Sequence, residues 1–233
     1  DALMEAIPSS SRLVFVGDVD QLPSVGPGMV LRDLIESKMV SVVRLDQIFR
    51  RSEDSLITTI AHQIRKGDIP KFKKNNDPKI LEEFYFIPEK DPDKIVNRVT
   101  KMVSKNIPDR FGFNPFRDIQ VLTPMHRGIT GSKNLNNRLQ DVLNPDGSGF
   151  KFREQIFKIG DKLMQQRNNY EKEVFNGDMG RIISCDTKTH EIHVSFDQGI
   201  VRYTAKEIDQ LALAYAISVH KSQGSEYPAL ILP

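Results

Sequence analysis

Residues 12–28 read RLVFVGDVDQLPSVGPG. The run at 13–16, LVFV, is short, wholly apolar and rich in β-formers, and it breaks at Gly17-Asp18. That is the pattern of a strand buried on both faces of a parallel sheet. Open α/β sheets hold their ligands just outside the carboxyl ends of such strands, which makes Gly17, Asp18, Asp20 and Gln21 candidate ligand contacts. A glutamine there can hydrogen-bond a phosphate oxygen or orient an attacking water without adding negative charge. A bare Gly-Asp pair, taken alone, reads more plainly as a turn. Downstream, Val30, Leu31, Leu34 and Ile35 follow helical spacing and residues 40–45 form a second β-rich run. Strand, helix, strand is α/β organisation.

With 233 residues, the chain is long enough for one large domain or two modest ones. Its 39% hydrophobic and 27% charged residues exclude wholesale disorder. No run approaches the roughly 20 apolar residues of a membrane span, and no charged segment precedes an apolar one as in a secretory signal. A cytoplasmic protein without membrane contact is the expectation. The single cysteine, Cys185, excludes an internal disulfide framework and any Cys-rich zinc site; its Ile-Ile-Ser approach reads as a structural strand position, and no metal ligands are expected. Net charge is only +2, so a case for nucleic acid must come from local distribution. Residues 119–140 hold Arg127, Lys133, Arg138 and His126 with no carboxylate, among Thr, Ser, Asn and Gly suited to phosphate hydrogen bonds. Alone, that stretch would be a solvated helix face.

Further along, Leu56, Ile57, Ile60, Ala61 and Ile64 predict a helix over residues 55–66, with Ser52 or Asp54 as cap and Gly67 at the stop. Residues 84–87 read as a strand, Asp91-Pro92 starts a helix, and the Pro/Gly cluster at 108–115 reads as a loop. A buried strand at 119–122 and a helix at 132–142 follow. After the turn-forming Asn144-Pro145-Asp146-Gly147, the texture changes to short alternating runs. Candidate strands at 156–159, 162–166, 180–185, 191–195 and 200–203 predict a small antiparallel barrel of SH3-like or OB-like size. Residues 213–221 then read as an apolar helix and 229–232 as a strand, so the barrel is an insertion in an α/β domain.

Three strings carry a resemblance. VGDVDQLPSVGPG, from Val16, is similar to motif III of superfamily 1 DNA helicases, in the RecD-like branch (the exodeoxyribonuclease V alpha subunit and its stand-alone relatives). RLDQIFRRS, from Arg44, resembles motif IV, in which an aromatic residue stacks on adenine and the next Arg reaches the γ-phosphate. The resemblance thus implies Phe49 at the base and Arg50 as the catalytic cation, with Arg51 its neighbour and rival. A guanidinium suits the task through its permanent charge and planar fork of donors. AYAISVHKSQGSEYP, from Ala214, resembles motif V. There His220, Lys221, Ser222, Gln223 and Ser225 would lie along single-stranded DNA while Glu226 reaches the nucleotide ribose. Touching both ligands from one turn would couple nucleotide-driven motion to grip on DNA.

VLTPMHRGITGSKNLNNRLQ resembles the family's additional DNA motif, implying phosphate contacts from Thr123, Arg127 and the turn ending at Ser132. GDKLMQQRNNYEKEVFNGDMGRI resembles the branch's SH3-like insert, implying strand contact around Arg167, Asn168, Asn169, Tyr170 and Asn176. The resemblance therefore implies a RecA-like, P-loop NTPase-type α/β motor with a parallel sheet and an inserted SH3-like β-barrel. Its divisions would be 1–45, the edge of a first motor domain; 46–150, a second motor domain; 151–208, the barrel; and 209–233, the second motor continued.

The sequence contains no Gly-x-x-x-x-Gly-Lys-Ser/Thr phosphate loop, no Asp-Glu pair and no motif VI, and it opens on Asp1 with an element already under way. The expectation is a fragment of an ATP- and magnesium-dependent 5′ to 3′ DNA helicase of recombination and repair. Such a fragment would neither hydrolyse ATP nor bind a cofactor tightly by itself. Its partners would be single-stranded DNA, the remainder of its own chain and recombination-complex subunits. A stand-alone nucleic-acid-binding module and an RNA helicase of the same superfamily are the alternatives.

Overall fold

The computed structural model describes residues 2–23, 26, 28–45, 55–70 and 81–233. It divides into two compact units, Asp1–Ile87 and Pro88–Pro233. The first contains α1 (Ala2–Ala6), α2 (Val30–Ser37) and α3 (Leu56–Arg65). α3 follows the predicted periodicity, but Ser52 and Asp54 lie outside the described residues and Ser55 occupies the N-cap position. Its hydroxyl donates to Glu83 at 2.8 Å instead of capping the helix. The expected strands at 13–16, 40–45 and 84–87 are not formed among the described residues. A parallel strand is made by its neighbours' hydrogen bonds and by cover on both faces. The runs at 13–16 and 40–45 have no strand partner among the described residues, leaving Val16 93% and Leu45 93% exposed.

The second unit opens on α4 (Pro92–Lys101). Asp91 caps it by accepting from the Asp93 and Lys94 amides at 3.0 and 3.3 Å, with Pro92 at the position where a missing N–H costs nothing. The helix does not stop at Pro108 as expected. It widens into a π turn, Met102–Asn106, and continues as α5 (Ile107–Phe111). Loosening the preceding turn accommodates a ring that can neither donate nor fit under a regular α ladder.

β1 (Ile119–Thr123) is buried throughout and lies between β9 (Ala216–Ser218) and β10 (Ala229–Ile231) in a parallel sheet of order β10-β1-β9. α6 (Ser132–Leu143) packs Leu135 and Leu139 onto it. The helix expected at 213–221 is instead β8 (Leu211–Leu213), β9 and a 3-10 turn, His220–Ser222. A short apolar run buried on all sides gives no periodicity by which to tell helix from strand.

The SH3-like part is an antiparallel sheet of order β7-β6-β5-β4-β8. It comprises β4 (Lys162–Gln165), β5 (Met179–Asp186), β6 (Glu191–Phe196), β7 (Gly199–Tyr203) and β8. The strand expected at 156–159 is not among them; as β3 (Gln155–Lys158) it pairs with β2 (Gly149–Phe152) in a separate hairpin. One hydrophobic core runs through both parts, from Val96, Val99 and Leu139 through Val121 to Leu163, Ile182 and Tyr203.

Where the chain crosses between the parallel and the antiparallel sheet, the join is polar. Asn136 on α6 clamps β9 by donating to the Ala216 carbonyl at 2.8 Å and accepting from its amide at 2.9 Å. Lys162 is 7% exposed and donates to the Ile119 carbonyl at 3.2 Å and to Gln120 Oε1 at 2.8 Å. Burial pushes its pKa down from 10.5 to about 8. A neutral amine retains two N–H donors, enough for both acceptors, so losing the proton removes the buried charge without orphaning either partner. From about pH 8 the folded chain releases a proton that the unfolded one holds until its ordinary pKa of 10.5, and stability rises with pH across that window. Urea midpoints of the parent and Lys162→Met, compared between pH 8 and pH 10, should therefore diverge in the parent's favour as pH rises. A constant gap would mean that Lys162 does not titrate there.

Candidate functional site

In the first unit, the turn after residue 16 is self-bonded. Asp18 accepts from the Asp20 amide at 2.9 Å and from Gln21 Nε2 at 3.2 Å, which holds the glutamine side chain against the turn. A Cβ on Gly17 would come within 2.8 Å of Leu31 Cδ2, so α2 lies directly against this position. Arg32 on α2 donates to the Val19 carbonyl at 3.3 Å, and Arg65 at the end of α3 pairs with Asp20 at 2.6 Å. Gly17, Asp18, Asp20 and Gln21 are thus brought together and braced from two helices. Phe49, Arg50 and Arg51 lie outside the described residues.

In the second unit, two loops leave the carboxyl ends of adjacent parallel strands, Thr123 on β1 being in register with Ser218 on β9. The loop from β1 to α6 is a built turn. Thr123 is 1% exposed, and its hydroxyl donates to the Thr130 carbonyl at 3.0 Å and accepts from the Met125 amide at 3.3 Å, so it shapes the loop from within. The Ser132 amide donates to the Met125 carbonyl at 2.9 Å, and the Ser132 hydroxyl meets His126 Nδ1 at 3.0 Å. Gly131 is needed because a Cβ there would lie 2.4 Å from the Arg127 carbonyl oxygen. Arg127 itself is exposed at the loop's rim.

The second loop is fastened to the first by the Val219 amide, which donates to the Thr123 carbonyl at 3.3 Å. It then turns through residues 220–222, with Ser222 donating to the Val219 carbonyl at 2.8 Å and Gly224 taking φ +82° to redirect the chain. His220, Lys221, Gln223, Ser225 and Glu226 remain exposed. Thr123, Ser132 and Ser222 serve as scaffold here, while Arg127, His220, Lys221 and Gln223 present side chains outward.

The barrel's β4–β5 connection is tightly bonded. Asn169 pairs with Val174 across it and donates to Gln210 Oε1 at 3.3 Å, while Asn168 Oδ1 accepts from the Asn176 amide at 3.0 Å. Arg167 reaches Asp209 at 3.8 Å. Both asparagines therefore shape the loop that presents Tyr170. That ring is 75% exposed and held edge-on to Phe175, centroids 5.8 Å apart.

Between the loop after β1, the turn after β9 and strands β4 and β8 lies a cleft of about 330 Å³. Its wall includes His126, Ser132, Lys133, Gln166, Ser218 and Lys221. Gln166 was legible only as the end of a strand, yet its Oε1 receives the Lys221 ammonium. A contact spanning 55 residues leaves no local signal. Partial burial at the cleft lowers the pKa of Lys221.

Two family models match the chain, an AAA domain over residues 1–84 and the ATP-dependent RecD-like DNA helicase SH3 domain over residues 135–196. The ATP-dependent RecD2 DNA helicase of Deinococcus radiodurans is 32% identical over 230 residues, covering 99% of this chain and 30% of that protein. The RecBCD enzyme subunit RecD of Mycobacterium tuberculosis (strain ATCC 25618 / H37Rv) is 26% identical over 236 residues, covering 96% of this chain and 40% of that one. The chain thus spans well under half the length of these two relatives. The Pif1 helicase from Bacteroides, in complex with ADP-AlF3 and single-stranded DNA, shares the fold with TM-score 0.51 at 17% identity, over 93% of this chain and 54% of its own. An AAA match over the first unit, a parallel sheet of RecA-like fold and a RecD-like SH3 match, with alignments that run along nearly all of this chain but less than half of each relative, make the chain similar to the RecD-like helicases.

Proposed function

We propose that this chain supplies one nucleotide-facing wall and much of the strand-facing surface of an ATP-dependent DNA helicase that translocates 5′ to 3′ in recombination and repair. The observation that carries the reading is the meeting of two loops at the carboxyl ends of β1 and β9. One presents Arg127 and the other His220, Lys221 and Gln223, beside a barrel that displays Tyr170. Phosphate contacts position a strand without reading its sequence, and an exposed ring offers a stacking face to any base.

In this reading Gln21 and Arg50 act on the γ-phosphate, Gly17 and Asp18 shape the turn beneath it, and Phe49 and Glu226 face base and ribose. The bracing of Gln21 by Asp18 fits a group that orients rather than one that ligates metal. The 233 residues hold no phosphate loop, so ATP and its magnesium meet this chain only along that wall. By itself it is expected to turn over no ATP. Residues 1–45 would belong to a first motor, 46–150 and 209–233 to a second, and 151–208 to the barrel. Binding partners would be single-stranded DNA, the first motor and, by analogy with relatives named as RecBCD subunits, a recombination complex in the cytoplasm.

Fluorescence anisotropy with a labelled single-stranded oligonucleotide across a salt series tests the strand surface. Each neutralised phosphate contributes roughly −0.7 to the log–log slope. Arg127→Ala should weaken binding and flatten the slope by about that amount, whereas Gln223→Ala, which removes no charge, should weaken binding at nearly constant slope. Unchanged affinity and slope for Arg127→Ala would leave the exposed rim of the loop after β1 a solvated surface. Equal unwinding of RNA and DNA duplexes by a longer, phosphate-loop-bearing form would favour the RNA helicase reading.

A further inference from the structure

We propose that Gln166, at the base of the barrel loop, is a positioning residue that holds the Lys221 ammonium in the cleft and yields it to a phosphate when a single strand enters. The inference rests on the strand-binding reading above. The Gln166 amide is oriented by its own bonds. Its Nε2 donates to the Met164 carbonyl at 3.3 Å, which turns Oε1 outward as the acceptor for Lys221. Its backbone amide donates to the Gln210 carbonyl at 2.7 Å, fixing the strand end from which the side chain projects. Lys221 is fixed from its own side, where its amide donates to Ser218 Oγ at 3.3 Å. Both residues line the same cleft with His126 and Lys133. The residue after Gln166 begins the loop that carries Tyr170, so the contact joins the barrel's exposed ring to the motor's strand-facing turn.

A neutral acceptor suits this task. It orients the cation while leaving its charge uncompensated, so an incoming phosphate competes favourably for it. A carboxylate at 166 would neutralise Lys221 and compete on equal terms.

The salt-series titration separates this role from a merely structural one. In Gln166→Glu, affinity should fall and the slope flatten by about 0.7, as if one phosphate contact were lost. Lys221→Gln should flatten the slope by the same amount, and adding Gln166→Leu to it should change nothing further, because the acceptor then has no ammonium to hold. Gln166→Leu removes the acceptor but not the charge. It should keep the slope and lose about twofold to tenfold in affinity, the value of a modest hydrogen bond. Additive effects of Gln166→Leu and Lys221→Gln, or unaltered affinity in Gln166→Leu, would overturn the inference while leaving strand binding intact. Absence of any binding by the parent chain would overturn the strand-binding reading and this inference with it.

Discussion

Alanine in place of Arg50 is expected to lower DNA-stimulated ATP turnover on the order of 10³-fold or more, measured in a longer form of the protein that also carries a phosphate loop. Charge that builds on the transferring phosphoryl group needs a cation placed before the reaction begins. A guanidinium meets that need because it is never neutral and offers two parallel donors. DNA affinity in the absence of nucleotide should stay close to that of the parent, because the role proposed for Arg50 is on the nucleotide's phosphates and not on those of the strand. Arg51→Ala is the control, since order after Phe49 favours Arg50 but the two residues are adjacent. A large loss at Arg51 with Arg50→Ala near the parent would exchange their roles. The brace at the Gln21 turn bears on the same proposed role. Arg65, at the far end of the helix that follows Arg50, is paired with Asp20 at 2.6 Å, and Asp18 holds Gln21 in the same turn. The pair is half-exposed and adds little to stability; what it supplies is a fixed register between α3 and the Gln21 turn.

How far the sequence could be read depended on how local each feature's cause is. α4 and α6 were legible because their apolar spacing lies within one segment, and at α4 the Asp91-Pro92 start lies beside it. β1 was legible because a buried strand flanked by turn-formers has few other readings. Residues 211–221 were not, because an apolar run buried on every side becomes helix or strand according to its neighbours, and here the neighbour is β1. The runs at 13–16 and 40–45 have strand composition without strand partners among the described residues. Motif strings pointed to the loops proposed to face ligands but did not sort their residues. Thr123, Ser132, Asn168 and Asn169 belong to the strings, yet their side chains are spent on shaping turns. Burial and hydrogen bonding decide that, and neither is visible in a string. Gln166 shows the converse, a residue outside every expected site whose partner lies on another element.

The same non-locality governs the largest stability effect. Gly160-Asp161 falls in sequence between two expected strands, at 156–159 and 162–166, yet Asp161 is fully buried and accepts four hydrogen bonds. Asn144 Nδ2 at 2.8 Å and the Tyr215 hydroxyl at 3.0 Å reach Oδ1, and Gln140 Nε2 at 2.6 Å and the Lys158 amide at 2.7 Å reach Oδ2. Asn144 stands where the chain leaves α6 for the barrel and Tyr215 where it returns between β8 and β9, so one carboxylate ties both crossings. Burial pushes its pKa up, and the donors pull against that shift. Asp161→Ala would leave four donor groups, two buried and two part-buried, without this acceptor. Breaking such a network costs about 3 kcal/mol or more, which at a urea slope of about 1–3 kcal/mol/M lowers the midpoint by roughly 1 M or more. Asp161→Asn tests the arrangement more finely. Asparagine matches the shape but turns an N–H toward partners that themselves donate, so it too should destabilise, by at least about 1 kcal/mol. A midpoint for Asp161→Asn equal to the parent's would mean that the carboxyl is protonated in the fold and donates to one of its four partners. A midpoint for Asp161→Ala equal to the parent's would show that the crossings are held by the shared apolar core alone.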